Sequence, residues 1–337
     1  MINSIYQLIN PHFFSIAYSN IDFNKNVIVR PTYMSICQAD QRYYRGTRDA
    51  EVLQKKLPMA LIHEACGEVV YDSSNTFKVG QNVIMIPNIP GNSPEHIYEN
   101  YSKSAKFMSS NVDGFMREFV NLPASQLVQF NNIKPNIAAI CELISVGTHA
   151  AFRFNKAAHE KREIIGIWGD GSVSYILSCI LKEMFPNSKI IVIGKDIRKL
   201  SCFSFVYKTY LGSNLPENFT VDHAFECAGG EGSYFAIDDI IKYIEPQGTV
   251  MLLGVSENKV AINTRNVLEK GLSFIGCSRS GRADFENAIN LLQKKDFQNR
   301  LCTIVNEEAP VCNIDDIHRV FKKDSENLFK TVFRWSV

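Results

Sequence analysis

Residues 163–185 read EIIGIWGDGSVSYILSCILKEMF, and this run limits the possible folds more than any other part of the chain. Ile164, Ile165, Ile167 and Trp168 make 163–168 a short apolar strand, and the turn Gly169-Asp170-Gly171 follows at once. Val173, Ile176, Leu177, Ile180, Leu181 and Met184 then recur at helical spacing. They predict a helix over 172–185 that Pro186 and Asn187 stop. The same alternation continues with strand-like runs at 189–193 (KIIVI), 222–226, 249–253 and 273–276. Strands alternating with helices over this length predict an α/β unit with a doubly wound parallel sheet.

The glycine turn also has a chemical meaning. Gly169 permits the tight turn and Gly171 leaves room for a pyrophosphate. At the helix start, Ser172 and Val173 offer unpaired N–H groups and a partial positive charge. Ser174, a small residue, stands where the third glycine of a dinucleotide fingerprint usually lies. An ordinary strand–turn–helix is the alternative, but the flanking elements favour a Rossmann dinucleotide site. The next strand ends Ile193-Gly194-Lys195-Asp196-Ile197-Arg198. Gly194 replaces the carboxylate that usually accepts from the ribose 2′-OH of NAD, and Lys195 and Arg198 suit a 2′-phosphate. A solvated turn tempered by Asp196 is the other reading. The expectation is NADP(H).

Before residue 140 the pattern differs. Short β-type runs at 26–30 (NVIVR), 67–71 (GEVVY), 82–86 (NVIMI) and 118–120 are broken by Pro31, Pro58, Gly80, Pro87 and Pro123. Residues 91–112 are polar and read as a long excursion, 284–294 (DFENAINLLQK) as an amphipathic helix, and the terminal KTVFRW as a strand returning to the first domain. The expected division is a β-rich domain from 1–143 and 284–337 with a nucleotide domain at 144–283. A length of 337 residues suits two domains. The near balance of 36 basic and 35 acidic side chains argues against nucleic-acid or membrane-surface binding. The most apolar region, 137–152, is interrupted by Glu142 and His149, so no membrane span is expected. The first residues lack a basic region and a continuous apolar core, and the nine cysteines include no C-x-x-C pair. Reduced thiols in a cytoplasmic protein are the expectation.

Three segments of the first domain carry metal-ligand chemistry. They are SICQAD with Cys37, LIHEACGEVV with His63 and Glu64, and CELISVGTHA with Glu142. A catalytic zinc needs three protein ligands and an open position. Cys37, His63 and Glu142 would meet that need with Glu64 beside them, although spacing does not place them together.

The order C-x-x-D, H-E-x-x-G-x-V-V, E-x-x-S-V-G-x-H-A and then the glycine turn resembles that of the zinc-dependent medium-chain alcohol and polyol dehydrogenases, over essentially the whole chain. The resemblance implies a GroES-like catalytic domain built from both chain ends with a Rossmann domain inserted. It implies a zinc site of Cys37, His63 and Glu142, with Glu64 as ligand or neighbour, and a cofactor contact at Gly254. A carboxylate at 142 looks like the sorbitol-dehydrogenase branch. Ile62 departs from the glycine usual before His-Glu, and Ala39 from the hydroxyl residue that often relays the alcohol proton, leaving water, Glu64 or Tyr43. The four-cysteine structural zinc loop is absent, since 67–140 contains no cysteine.

The words MSICQADQRYYRGTRD, VDGFMREFV, DHAFECAGG, LLGVSE, NTRNVLEKGL and GCSRSGRADFENA resemble, more narrowly, the ribulose-5-phosphate reductase group. That resemblance implies reduction of D-ribulose 5-phosphate to D-ribitol 5-phosphate with zinc and NADPH, supplying CDP-ribitol for teichoic acid or capsule synthesis. A phosphorylated pentulose substrate, a cytidylyltransferase partner and a homodimer go with it. Arginine suits bidentate phosphate capture, and Arg42, Arg279 and Arg282 are the candidates, Arg279 by resemblance to polyol dehydrogenases. Arg45 and Arg48 belong to the same basic group as Arg42, with a solubilising surface role as the alternative for both. The alternatives are an unphosphorylated polyol dehydrogenase, a zinc-free quinone reductase and a catalytically silent nucleotide-binding protein.

Overall fold

The apolar run after Glu163 forms strand Ile164–Trp168 in a computed structural model that describes residues 1–24, 26–92 and 94–337. This strand is third in a six-stranded sheet in the order Lys208–Leu211, Lys189–Gly194, Ile164–Trp168, His223–Glu226, Thr249–Leu252 and Ser273–Gly276. Every neighbouring pair is parallel. The sheet reverses its order between Ile164–Trp168 and His223–Glu226, which is the switch point where ligands bind such sheets. Helix Ser172–Met184 follows the glycine turn and buries Tyr175, Ile176, Leu177, Cys179, Ile180 and Leu181. This unit spans Val146–Ser278.

The second unit joins Met1–Ser145 to Arg279–Val337. Its main sheet runs Leu127–Gln129, Asn82–Met85, Glu64–Asp72, Val27–Ser35, Lys330–Trp335 and Val305–Val311, and Val120–Leu122 also pairs with Val27–Ser35. The terminal KTVFRW segment therefore lies beside Val27–Ser35, antiparallel to it. Strand Val27–Ser35 runs past Pro31, beyond the expected 26–30, because the ladder shifts register between Pro31 and Tyr33. A hairpin of Ile2–Asn10 and Phe13–Asn20, not anticipated from the sequence, pairs through its first strand with Met59–Ala60. The excursion at 91–112 holds a short pairing of Asn88–Ile89 with Lys106–Phe107, and its Ser93 lies outside the described residues. The chain rejoins this unit at Arg279, ahead of 284. Helix Arg282–Leu292 is the reason: its first N–H donates to Glu99 Oε1 at 2.7 Å, and the Arg282 guanidinium donates to the carbonyls of Ser125 and Leu127.

Gly169 fixes the path from strand to helix. Its φ of +129° is open to glycine, its N–H donates to the Ile193 carbonyl at 2.8 Å, and a Cβ there would stand 2.8 Å from the Cys227 carbonyl. Gly169→Ala is expected to destabilise this unit by about 1–3 kcal/mol or more, read by denaturant unfolding. Unchanged stability would show that the turn relaxes without strain.

Candidate metal centre

The sheet register assembles the centre. Cys37 follows strand Val27–Ser35 directly, and Ser35 pairs with Glu64, the first residue of Glu64–Asp72. His63 precedes it. Potential ligand atoms of Cys37, His63 and Glu64 all lie within 4.8 Å of one another. Glu142, in the first turn of helix Cys141–Ala157, is buried outside that trio, close enough for His63, Glu64, Lys330 and Asp40 to act on its carboxyl.

Buried charge defines the chemistry. Glu64 is fully buried; its Oε1 accepts from Lys330 Nζ at 2.7 Å, and its Oε2 has no hydrogen-bond partner among the described residues. Lys330 also donates to the Ile36 carbonyl at 2.6 Å. Burial favours the neutral amine, but Glu64 and Cys37 outweigh it and keep Lys330 charged. A buried carboxylate oxygen without a donor, beside a thiol and an imidazole, is the donor set of a divalent metal with mixed S, N and O ligands. The residues present therefore fit a zinc ion.

Asp40 organises the approach to this trio. Its Oδ2 accepts from the Cys37 N–H at 3.1 Å and lies 3.6 Å from His63 Nδ1. Its Oδ1 accepts from the Ile62 N–H at 3.0 Å and from Ser109 Oγ at 2.7 Å. With Nδ1 on a carboxylate, Nε2 is the histidine nitrogen left for a metal. Burial works against a charged His63, yet Asp40 and Cys37 raise its pKa well above the usual value. Burial lifts Glu142 to about 7, against the pull of His63.

Ile62 occupies the left-handed region at φ +69°, a conformation that costs a β-branched residue roughly 1–3 kcal/mol. Its N–H is held by Asp40, and its carbonyl accepts from the Phe115 N–H at 2.7 Å. This explains what glycine supplies at that place elsewhere, and how this chain does without it.

Arg279, also left-handed at φ +60°, stands near the centre. Its guanidinium lies 5.1 Å over the Phe107 ring, whose centroid is 5.3 Å from that of His63. It is half-buried, burial lowers its pKa, and it has no acidic partner among the described residues. The expected pairing of Arg282 with Arg279 in anion capture does not match its bonding. Arg282 clasps the carbonyls of Ser125 and Leu127 and the carboxylate of Glu286, so it anchors its helix. Arg42 sits half-buried in the last turn of helix Gln38–Tyr44, and Arg48 stacks on Tyr43.

In the Val146–Ser278 unit, Gly171 caps the helix, with open space where its Cβ would be, and Ser172 and Val173 open that helix, half-buried. Gly254 donates its N–H to Glu226 Oε2 at 3.0 Å. Glu226 Oε1 takes the N–H groups of Ala228 and Gly229 and the Ser233 hydroxyl. Lys195 is exposed, whereas Arg198 is paired with Asp196 at 2.7 Å and is less available to an anion than its position suggested. Asp40, Lys330 and Glu226 were missed as site residues. The D of C-x-x-D pointed to the first, while nothing local marked Lys330.

With no metal bound, Asp40 and Cys37 favour a proton on His63, and burial favours one on Glu142 up to about pH 7. A metal must displace them, so affinity should rise with pH by up to roughly tenfold per unit for each proton released. Calorimetric metal titration in buffers of different ionisation heat measures that release, and an affinity independent of pH would contradict the arrangement.

Residues 24–132 match the model of the alcohol dehydrogenase GroES-like domain, and residues 211–294 that of the zinc-binding dehydrogenases. The ribulose-5-phosphate reductase of Streptococcus pneumoniae is 52% identical over 340 residues, covering 100% of this chain and 98% of that protein. Ribulose-5-phosphate reductase 1 of Staphylococcus aureus is 48% identical, with 99% of each covered. The crystal structure of S. aureus TarJ in complex with NADPH superposes with a TM-score of 0.89 at 44% identity, covering 100% of both chains. At 45–52% identity over its full length with such proteins, the chain belongs to the ribulose-5-phosphate reductases, within the zinc-binding dehydrogenases that carry a GroES-like domain.

Proposed function

We propose that this chain reduces D-ribulose 5-phosphate to D-ribitol 5-phosphate, with NADPH as hydride donor and one zinc ion per chain. The full-length similarity to ribulose-5-phosphate reductases supports the reaction, and one feature of the site carries the phosphate. Arg279 is a half-buried cation without a counter-ion among the described residues, stacked on a ring that packs against His63. A guanidinium in that state has much to gain from an anion, and a bidentate one suits phosphate. The same feature disfavours an unphosphorylated polyol as the natural substrate.

Cys37, His63 and Glu142 would hold the zinc, with Glu64, whose Oε2 has no partner among the described residues and whose carboxylate lies in the cluster with Cys37 and His63, as a further ligand or neighbour. Zinc bound there would supply Lewis-acid polarisation of the C2 ketone, and NADPH the hydride. Asp40 orients His63 and anchors the Cys37 N–H, so two ligands share one support. Lys330 holds Glu64 in place by donating to its Oε1 at 2.7 Å. Arg279, by gripping the phosphate at C5, would fix the distance from anchor to ketone and reduce the freedom lost on reaching the transition state. Gly169, Gly171, Ser172 and Val173 would take the pyrophosphate, Lys195 the 2′-phosphate, and Gly254 the far end of the cofactor.

Arg279→Ala should lower kcat/KM for ribulose 5-phosphate about ten- to a hundredfold and change the rate on ribulose much less. Arg282→Ala should reduce stability and leave the ratio between the two ketoses unchanged. Equal losses on both ketoses would remove Arg279 from phosphate binding. Equal kcat/KM for both ketoses in the starting protein would replace the substrate reading with the polyol alternative.

A homodimer belongs to the same proposal. Strand Ser273–Gly276 is the last of its sheet, and Leu268 and Val255 in the same unit are 79% and 61% exposed. A strand at the end of its sheet, in a unit that also exposes large apolar side chains, suits a second copy of this chain. Sedimentation should give twice the chain mass, and a monomer at micromolar concentration would refute it. A cytoplasmic setting goes with this reading, and no helix of the described residues is long and apolar enough to cross a membrane. The product, a polyol phosphate, would pass to a cytidylyltransferase that makes CDP-ribitol.

A further inference from the structure

The middle residue of the glycine turn has a place of its own. Asp170 is buried, and its Oδ2 accepts from the N–H groups of both Lys195 and Asp196, at 2.7 and 2.8 Å. A Cβ on Gly194 would stand 2.6 Å from both the Cβ and the Oδ2 of Asp170. The clash includes the root of the side chain, so rotating the carboxylate does not remove it. Beyond this point Asp196 accepts from the N–H, Nε and Nη2 of Arg198, which leaves Lys195 as an exposed cation without an ion pair among the described residues.

We infer that Asp170 is a specificity-determining residue of the cofactor site, acting together with Gly194. By filling the space beside Gly194, it bars the strand-end carboxylate that would accept from an unmodified ribose. By taking two consecutive N–H groups, it fixes the backbone that carries Lys195 towards a 2′-phosphate. Cofactor choice is then encoded at two positions that must change together, 170 and 194. The inference rests on the NADPH reading proposed above.

The test is fluorescence titration of the full chain with NADPH and NADH. Gly194→Ala should weaken NADPH binding about tenfold or more in the starting protein but add little further loss to Asp170→Gly, since contacting positions couple. Asp170→Ala should cut the NADPH-to-NADH affinity ratio about five- to tenfold. Asp170→Asn, which keeps an oxygen acceptor, should preserve that ratio. Three outcomes would overturn the inference: Gly194→Ala binding like the starting protein, Gly194→Ala weakening Asp170→Gly as much as it weakens the starting protein, or Asp170→Ala weakening both cofactors equally. Selective loss of NADH in Asp170→Asn would make Asp170 itself the ribose acceptor and would also overturn it. Equal affinities in the starting protein would sink the NADPH reading, while the double variant measured against Asp170→Gly scores the coupling of 170 and 194 independently of it.

Discussion

Lys330 is 5% exposed and charged, and it touches two segments far from it in sequence. One contact is the Ile36 carbonyl, beside Cys37; the other is the Glu64 carboxylate, beside His63. A buried ion pair adds little net stability, because desolvation offsets attraction, but losing one partner leaves the other charge stranded. The metal centre depends on this constraint. The strand order puts Lys330–Trp335 next to Val27–Ser35, and that strand next to Glu64–Asp72, so the amine and the carboxylate come within reach across a shared neighbour.

A second pattern recurs in both units: carboxylates that clasp backbone N–H groups at loop ends. Asp40 holds Cys37 and Ile62, Asp170 holds Lys195 and Asp196, and Glu226 holds Ala228, Gly229 and Gly254. Each clasp satisfies donors that a loop would otherwise leave to water, and each lies where a metal or cofactor would be handled. The left-handed backbone of Ile62 persists under such a clasp.

Local patterns carried much of this. The glycine turn, the apolar strands and the helix after them could be read from 163–185 because period and turn chemistry are local properties. The zinc-ligand candidates could be named from residue type and motif order, as could Arg279. What could not be read depends on pairing between distant segments. Lys330 looks like an ordinary strand-end lysine until its strand is placed beside Val27–Ser35. The clasp on Arg282 needs carbonyls from 125 and 127. The arrest of Arg198 by Asp196 is local but depends on side-chain geometry. The N-terminal hairpin has no clear mark in the sequence because its first strand mixes buried Ile5, Tyr6 and Leu8 with Asn3, Ser4 and Gln7 and lacks a regular two-residue alternation.

The chain position of Lys330 has a consequence for biosynthesis. The lysine lies 266 residues after Glu64. At roughly 5–20 residues per second, the ribosome delivers it about 13–50 s after its partner. Cys37, His63 and Glu64 are made early, yet their strands cannot enclose Glu64 without leaving a carboxylate unmatched in the interior. The Val146–Ser278 unit, by contrast, is complete before the last strand emerges. During translation the burial of Glu64 therefore waits for the C-terminal strand, and the centre that gives the enzyme its chemistry is the last part to close.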